Sequence, residues 1–256
     1  MEKNPEITLI LAETSTVYGL REDWAAVQKA LEDIIPVYDK TNRYISFGSD
    51  VRLRKKGLDL LRTAMGNETF SVVDLGCGTG RMTQLFLDSS GPHGESPLLV
   101  DPIAAMMRVA KKGTRSDGLL AVFENLPFRS GSLDSAMAGF SLRDARNLGR
   151  ALDQINYLLK PGGKFLIVDL SKPDSKVGSA LITIYWKVLA PLVAFCTAGR
   201  LGLKFGALAT TYTRLPTISQ FFEISKRSGF GVIASEFSML GGASVIILGK
   251  GKETTS

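Results

Sequence analysis

Apolar positions along the chain follow two rhythms. From residue 22 to 35 (EDWAAVQKALEDII) they recur every three to four residues, the spacing of a half-buried helix. A second helix is expected from about Asp50 to Met65. From Phe70 onward short unbroken apolar runs take over: FSVVDL (70–75), PLLVD (97–101), LLAVF (119–123), DSAMAGF (134–140) and KFLIVDL (164–170). Unbroken runs, rather than alternating ones, belong to parallel strands covered on both faces. Helices are expected between them, near 81–89, 103–112 and 147–160. A further helix near 217–228 leads into FGVIASEF (230–237) and SVIILGK (244–250). The pattern predicts an α/β fold: a Rossmann-like, seven-stranded, doubly wound sheet with N-terminal helices and an apolar helical insert between strands five and six.

No repeat or linker divides the chain, so one domain is expected over 1–256. It would run as an N-terminal helical lid region (1–66), a ligand-binding core (67–170), the insert as a substrate cover (171–216) and a C-terminal helix with two strands (217–256). Thirty-one basic against 25 acidic residues give a net charge of +6. That mild excess suits an anionic surface or substrate and does not by itself indicate nucleic acid. Two cysteines, Cys77 and Cys196, make neither a disulfide framework nor a zinc cluster. A single histidine, His93, argues against a histidine metal site and a Ser-His-Asp engine, so no metal is expected. The short apolar run after Glu2 and Glu6 does not read as a secretory signal, and a cytoplasmic protein is expected.

The stretch Gly178 to Gly199 carries one charge, Lys187, and approaches the length of a membrane span. Lys187 and Pro191 near its middle argue against a span. Buried or interfacial helices are expected instead.

Ligands of open parallel sheets bind beyond the carboxyl ends of the strands. The candidate segments are therefore Gly76–Gly80, Asp101–Ile103, Phe123–Phe128, Phe140–Arg143 and Asp169–Lys172. The loop carrying His93 and the turn Lys160–Gly163 (KPGG) fall at the opposite end. Strand one runs into Asp74-Leu-Gly-Cys-Gly-Thr-Gly80. Gly76, Gly78 and Gly80 allow a tight turn and close approach to a ligand. Asp101 closes strand two, where an acid can grip both ribose hydroxyls. The spacing is one residue shorter than the dinucleotide fingerprint. Cys77 within the loop reads as a small filler rather than a nucleophile.

VVDLGCGTG with Asp101 resembles the first two motifs of the class I S-adenosylmethionine (SAM) methyltransferases. The resemblance implies SAM as cofactor. Gly76, Cys77, Gly78 and Gly80 would pass beside its methionine portion, Asp74 would help hold the amino group and Asp101 would take the ribose. Ile103 or Phe123 would sandwich the adenine, with Pro102, Glu124 and Phe140 completing the wall. Val122 stands where many relatives have an acid or amide that reads the adenine amine.

YDKTNRYISFG (38–48), ENLPFRSGSLD (124–134), FSLRD (140–144), YTRL (212–215) and the closing MLGGASVIILGKG together resemble the ubiquinone/menaquinone C-methyltransferase (UbiE-like) family. The likeness runs from about Val27 to Lys250. The family's asparagine after Leu-Arg is Asp144 here. Its tryptophan after S-x-G is Leu53, its neighbouring His-Arg pair is Asp50-Val51, and a C-terminal histidine is Ile247. This resemblance implies C-methylation of a prenylated quinol or naphthoquinol. Arg143 would stabilise a phenolate or hold a water, Asp144 would accept the proton, and Tyr38 would close the pocket from the lid.

The insert at 179–209 would cover a greasy tail. It could equally be a homodimer interface or plain core. The basic residues Arg52, Arg54, Lys55, Lys56, Arg200 and Lys204 could hold anionic headgroups at the inner face of a membrane, or simply be solvated. No nucleic-acid partner is expected. The alternatives are a methyltransferase for another amphiphile or a small phenol or amine, and a SAM-binding protein without turnover.

Overall fold

A computed structural model describes residues 18–66, 69–90 and 96–251. Residues 1–17 and the loop with His93 lie outside the described residues. Seven strands form one sheet: β1 Val72–Leu75, β2 Leu98–Val100, β3 Gly118–Leu119, β4 Leu133–Gly139, β5 Leu159–Leu170, β6 Phe230–Ser238 and β7 Ala243–Lys250. Their spatial order is β3-β2-β1-β4-β5-β7-β6. Neighbours among β1 to β5 pair in parallel, and β7 enters antiparallel between β5 and β6.

The unbroken apolar runs have a direct cause. Successive side chains of a strand point to opposite faces, and both faces here are covered. Ala136 and Ala138 of β4, Phe165 and Ile167 of β5, and Ile246 and Leu248 of β7 enter one core. The residues between them, Met137, Leu166, Val168, Val245 and Ile247, enter the other. Helix α6 (Leu148–Leu158) closes the first face with Ala151, Leu152 and Ile155. Helix α3 (Ser49–Met65) closes the second with Leu53, Leu58 and Leu61. A Cβ at Gly57 would stand 2.7 Å from the Val168 side chain, so the missing side chain sets how closely α3 lies on β5.

The sequence placed β3 over 119–123, and only Gly118–Leu119 pairs. Leu120 is exposed, and the chain leaves the sheet through a turn in which the Asn125 N–H donates to the Val122 carbonyl at 3.1 Å. Phe123 thus sits on a loop. The KPGG turn lies inside β5 as a bulge: Leu159 pairs Leu133, and pairing resumes at Lys164 opposite Ser135. Strand β6 is an edge strand, with Val232, Ile233 and Phe237 exposed.

A third core joins the lid to the insert. Leu31 and Ile34 of α1 (Trp24–Ile34) and Ile45 of α2 (Tyr38–Ile45) pack with Ala190, Ala194 and Phe205. The insert is a nearly continuous helical run, Lys176–Phe205, with a mean hydropathy of 1.7 over its most apolar window. By length and composition it could cross a membrane. Its inner stripe is fixed to the domain, and the Tyr185 hydroxyl donates to the Ile45 carbonyl. Proline cannot donate to the helix ladder and clashes one turn back; the wider π turn at Tyr185–Leu189 precedes Pro191. Of the two alternatives, buried or interfacial helices, burial holds for the inner stripe alone. Val177, Leu181, Ile184, Val188, Leu192 and Phe195 recur at helical spacing and are all exposed.

Candidate functional site

A cavity of about 890 Å³ opens at the carboxyl ends of the parallel strands, between the sheet, the lid and the insert. The glycine loop forms one wall. Gly76, Gly78 and Gly80 have φ of 66°, 56° and 84°, a region that L side chains rarely adopt. Beyond that shared need, the three differ. A Cβ at Gly76 would lie 2.5 Å from Ser141 Cβ, and one at Gly80 would press on Ala110 at 3.1 Å. A Cβ at Gly78 would meet nothing within 4 Å and would project into open space. Gly78 is the cradle position, whereas Gly80 does not line the cavity and sets the packing of α5 (Ala104–Thr114).

Asp101 is 5 % exposed and lines the cavity. It accepts the N–H of Gly78 at 2.9 Å and of Ile103 at 2.8 Å. These two bonds fix the carboxylate against the glycine loop with lone pairs to spare for a diol. Burial raises its pKa, and the two backbone donors oppose the rise. Asp74 is placed differently from the expectation. It is fully buried, does not line the cavity, and accepts the Thr83 hydroxyl at 2.7 Å and the Thr83 N–H at 3.2 Å. It ties β1 to α4 (Arg81–Ser90) behind the loop, and burial lifts its pKa to about 6. Cys77 packs on Leu99, Met107 and Ala110, and burial pushes its thiol pKa up, in keeping with a filler. Pro102, Ile103, Phe123, Glu124 and Phe140 all line the cavity. Glu124 accepts the Asn147 N–H at 2.8 Å through one oxygen, while its other oxygen is buried without a partner.

Arg143, Asp144 and Tyr38 line the same cavity. Asp169, at the end of β5, fixes Arg143 twice: it accepts Nη1 at 2.7 Å and the backbone N–H at 3.1 Å. Burial pulls the Arg143 pKa down, but Asp144 and Asp169 outweigh it and hold the guanidinium charged. Arg143 Nε and Asp144 Oδ1 face each other at 3.7 Å, and neither has a hydrogen-bond partner. Burial lifts the Asp144 pKa to about 7 against the pull of Arg143. Tyr38 stacks on Phe205 of the insert with ring centroids 6.3 Å apart. The lid is latched to the glycine loop where the Thr79 hydroxyl donates to Asp39 at 2.9 Å.

Three participants were missed by sequence reasoning. Asp169 lay in a candidate segment, but only the tertiary fold reveals its partner. Asp39 belongs to the YDKTN stretch and was passed over for Tyr38. Arg54 was grouped with surface cations, yet it turns inward onto the Phe140 ring at 4.6 Å. Arg52, Lys55 and Lys56 remain exposed. Among the described residues no cluster of His, Cys, Asp or Glu could hold a metal ion.

Sheet order, glycine cradle and acid-tipped second strand define a class I methyltransferase fold. A family model for the ubiE/COQ5 methyltransferase family matches residues 19–250. The chain belongs to that family and is a SAM-dependent methyltransferase. It is 28% identical over 229 residues to a demethylmenaquinone methyltransferase of Listeria welshimeri, covering 87% of this chain and 94% of that protein. It is 27% identical over 246 residues to the ubiquinone/menaquinone biosynthesis C-methyltransferase UbiE of Geobacter sulfurreducens, covering 92% and 93%. Its fold is similar to that of the Burkholderia thailandensis 1,6-didemethyltoxoflavin-N1-methyltransferase, solved with bound 1,6-didemethyltoxoflavin and S-adenosylhomocysteine. That match has a TM-score of 0.58 at 18% identity and covers 90% of each chain.

Proposed function

We propose that this enzyme methylates a ring carbon of a prenylated quinol or naphthoquinol, with SAM as donor, in menaquinone or ubiquinone biosynthesis. The observation that carries this reading is the lining of the cavity. It brings together a backbone cradle with a fixed carboxylate and a buried Arg-Asp pair. The cradle fits SAM because Gly78 leaves open space where any side chain would intrude, and because Asp101 presents a carboxylate beside it. When bound, SAM supplies an electrophilic methyl group on a sulfonium centre.

The protein's own groups do the rest. Asp144, with a pKa of about 7, accepts the acceptor's hydroxyl proton near neutrality. The resulting phenolate is richest in electrons on oxygen and on the adjacent ring carbon. Arg143, immobilised by Asp169, stabilises the oxygen, leaving the carbon as nucleophile. Transfer would break the methyl–sulfur bond to leave the neutral thioether, and the ring proton at the methylated carbon is then lost as the ring regains aromaticity and its hydroxyl. Tyr38 and Phe205 close the lid and exclude water.

The outer face of the insert suits a lipid-embedded acceptor. Two further side chains are nearly bare, Phe47 (73 % exposed) and Leu240 (77 %). Phe47 lines the cavity two residues after Ile45, whose carbonyl accepts the Tyr185 hydroxyl. Phe47 and Leu240 both have left-handed φ, 51° and 56°, an uncommon conformation for a large side chain. Along 172–200 the basic residues Lys172, Lys176, Lys187 and Arg200 stand against one acid, Asp174. We therefore place the enzyme in the cytoplasm, docking transiently on an anionic membrane.

The deciding experiment is incubation with methyl-labelled SAM and reduced demethylmenaquinone in vesicles. Label in the extracted quinone is expected. Label appearing instead in a phospholipid or a small amine from the same extract would move the enzyme to another amphiphile.

A further inference from the structure

The cavity is longer than its cofactor half and its Arg-Asp pair account for. Its lining follows the carboxyl edge of the sheet, from Asp101 after β2 and Gly78 after β1, past Phe140 after β4, to Leu170 at the end of β5 and Ala243 at the start of β7. Neighbouring strands stand about 4.8 Å apart, so the run from β2 to β7 spans roughly 19 Å. The cradle occupies the β1–β2 end. Arg143, just beyond β4, is fixed to Asp169 of β5. What lies further on, over β5 and β7, has no role in either half of the chemistry.

That far end is apolar and leads outward. The residues that β5, β7 and the β6–β7 turn give to the lining are Leu170, Ala243 and Met239, and Trp186 of the insert packs beside Leu170. Exposure rises along them, from 1 % at Ala243 and 8 % at Leu170 to 37 % at Met239 and 77 % at Leu240, the next residue in the chain. The other exposed stretch of the lining, on the lid, carries Asp39, Lys40 and Arg43, groups that are costly to desolvate against hydrocarbon.

The turn itself is fastened. The Ser171 hydroxyl donates to the Gly241 carbonyl at 2.8 Å, and the Ser171 N–H donates to the Gly242 carbonyl at 3.1 Å. A Cβ at Gly241 would stand 3.2 Å from Pro173, and one at Gly242 would stand 2.9 Å from Ile182 of the insert. Met239, Leu240 and Gly241 take left-handed φ of 51°, 56° and 86° in succession. Large side chains rarely adopt that region, and they stay there only where the surroundings over-determine it. The outcome is one apolar side chain on the cavity wall and the next in the open.

We propose that the turn at Met239–Leu240 is the exit through which the acceptor's prenyl tail leaves the cavity, with Leu170, Ala243 and Trp186 as the apolar path to it. This assignment rests on the quinol reading above and adds where the tail goes.

The test uses two acceptors that share a naphthoquinol ring, one with a single isoprene unit and one with a long polyprenyl tail, both in the same detergent micelles. With the full chain and SAM, Met239→Trp plugs the exit and should raise KM for the long-tailed acceptor about tenfold or more, since two methylenes displaced from an apolar wall already cost about that much. KM for the short-tailed acceptor should move less than about twofold, and kcat should hold for both, because only uniform binding is lost. Leu240→Glu, at an exposed position, should raise KM for the long tail alone. Met239→Gly, which widens the same point, should keep both acceptors. Titration with S-adenosylhomocysteine reports that each variant is folded with its cradle intact. Equal rises in KM for both acceptors, or no rise for the long tail in both Met239→Trp and Leu240→Glu, would overturn the assignment and leave the quinol reading standing. A wild-type chain that binds S-adenosylhomocysteine yet methylates neither acceptor would remove the quinol reading itself.

Discussion

Two guanidinium groups lie near one aromatic ring, and the protein holds them differently. Arg143 sits 5.9 Å from the Phe140 ring centre and is gripped by Asp169 through side chain and backbone. Arg54 sits 4.6 Å from the same centre and is held by two contacts beyond 3.2 Å. Both are buried, and burying a charge is tolerable only when it is paired and hydrogen-bonded. Arg143 meets that condition within the protein. Arg54 meets it more loosely, through an ion pair to Asp50 at 3.3 Å and a bond to the Gly139 carbonyl at 3.4 Å. The difference separates a guanidinium clamped by short bonds from one held by long ones.

Removing each cation should produce unequal damage. Arg143→Ala leaves Asp169 and Asp144 buried beside no cation, and breaking such a pair costs about 3–5 kcal/mol. Methyl transfer should vanish with it. Arg54→Met should cost on the order of 1 kcal/mol, because Asp50 keeps its bond from Ser46. Urea unfolding of both variants without ligand is the measurement. Equal destabilisation would erase the contrast and make Arg54 a structural cation like its neighbour.

The glycine loop gives a second contrast inside the cofactor wall. Gly76→Ala drives a Cβ into Ser141 and forces a left-handed residue, so a loss of about 2–4 kcal/mol is expected. Gly78→Ala meets open space, and only the backbone penalty of about 1 kcal/mol remains. Nucleoside affinity should nevertheless collapse in Gly78→Ala, because the new methyl occupies the cradle. Thermal unfolding paired with 5′-methylthioadenosine titration separates the two. A Gly78→Ala variant that binds the nucleoside normally would place the ligand elsewhere.

The two halves of the cavity were not equally legible in the sequence. The cofactor half is written in backbone terms. Glycines at a strand end encode positive φ, and an acid at the next strand end follows from topology. The acceptor half is written in tertiary pairs. Nothing local links Asp169 to Arg143 across 26 positions, and the burial of Asp74 behind the loop depends on its tertiary bond from Thr83. Arg54 was recoverable. Asp50, Leu53, Gly57, Leu58 and Leu61 form the buried stripe of α3, and position 54 falls within it by helical spacing. The cluster RLRKK obscured this, because a run of charge suggests a solvated face. Strand three misled for the opposite reason. LLAVF has strand composition, but β3 is the sheet edge beside β2, and the chain leaves after Leu119.

The finest test concerns Asp144, which faces Arg143 without a hydrogen bond. Its pKa is lifted from 3.8 to about 7, so the folded protein binds the proton more tightly than the unfolded chain. Below pH 3.8 both states are protonated and the group costs nothing. As pH rises from there the unfolded chain ionises first, and stability drains until the folded carboxyl also ionises near pH 7. Asp144→Asn removes that drain. The variant should match the wild type near pH 4 and gain on the order of 1–3 kcal/mol by pH 8, as a tenfold change in proton affinity is worth about 1.4 kcal/mol. If Asp144 is the proton acceptor, the wild-type transfer rate climbs through pH 7 and the asparagine variant loses that inflection. A variant that keeps the inflection while gaining the stability would leave Asp144 as a buried cost and assign the proton to a water held by Arg143.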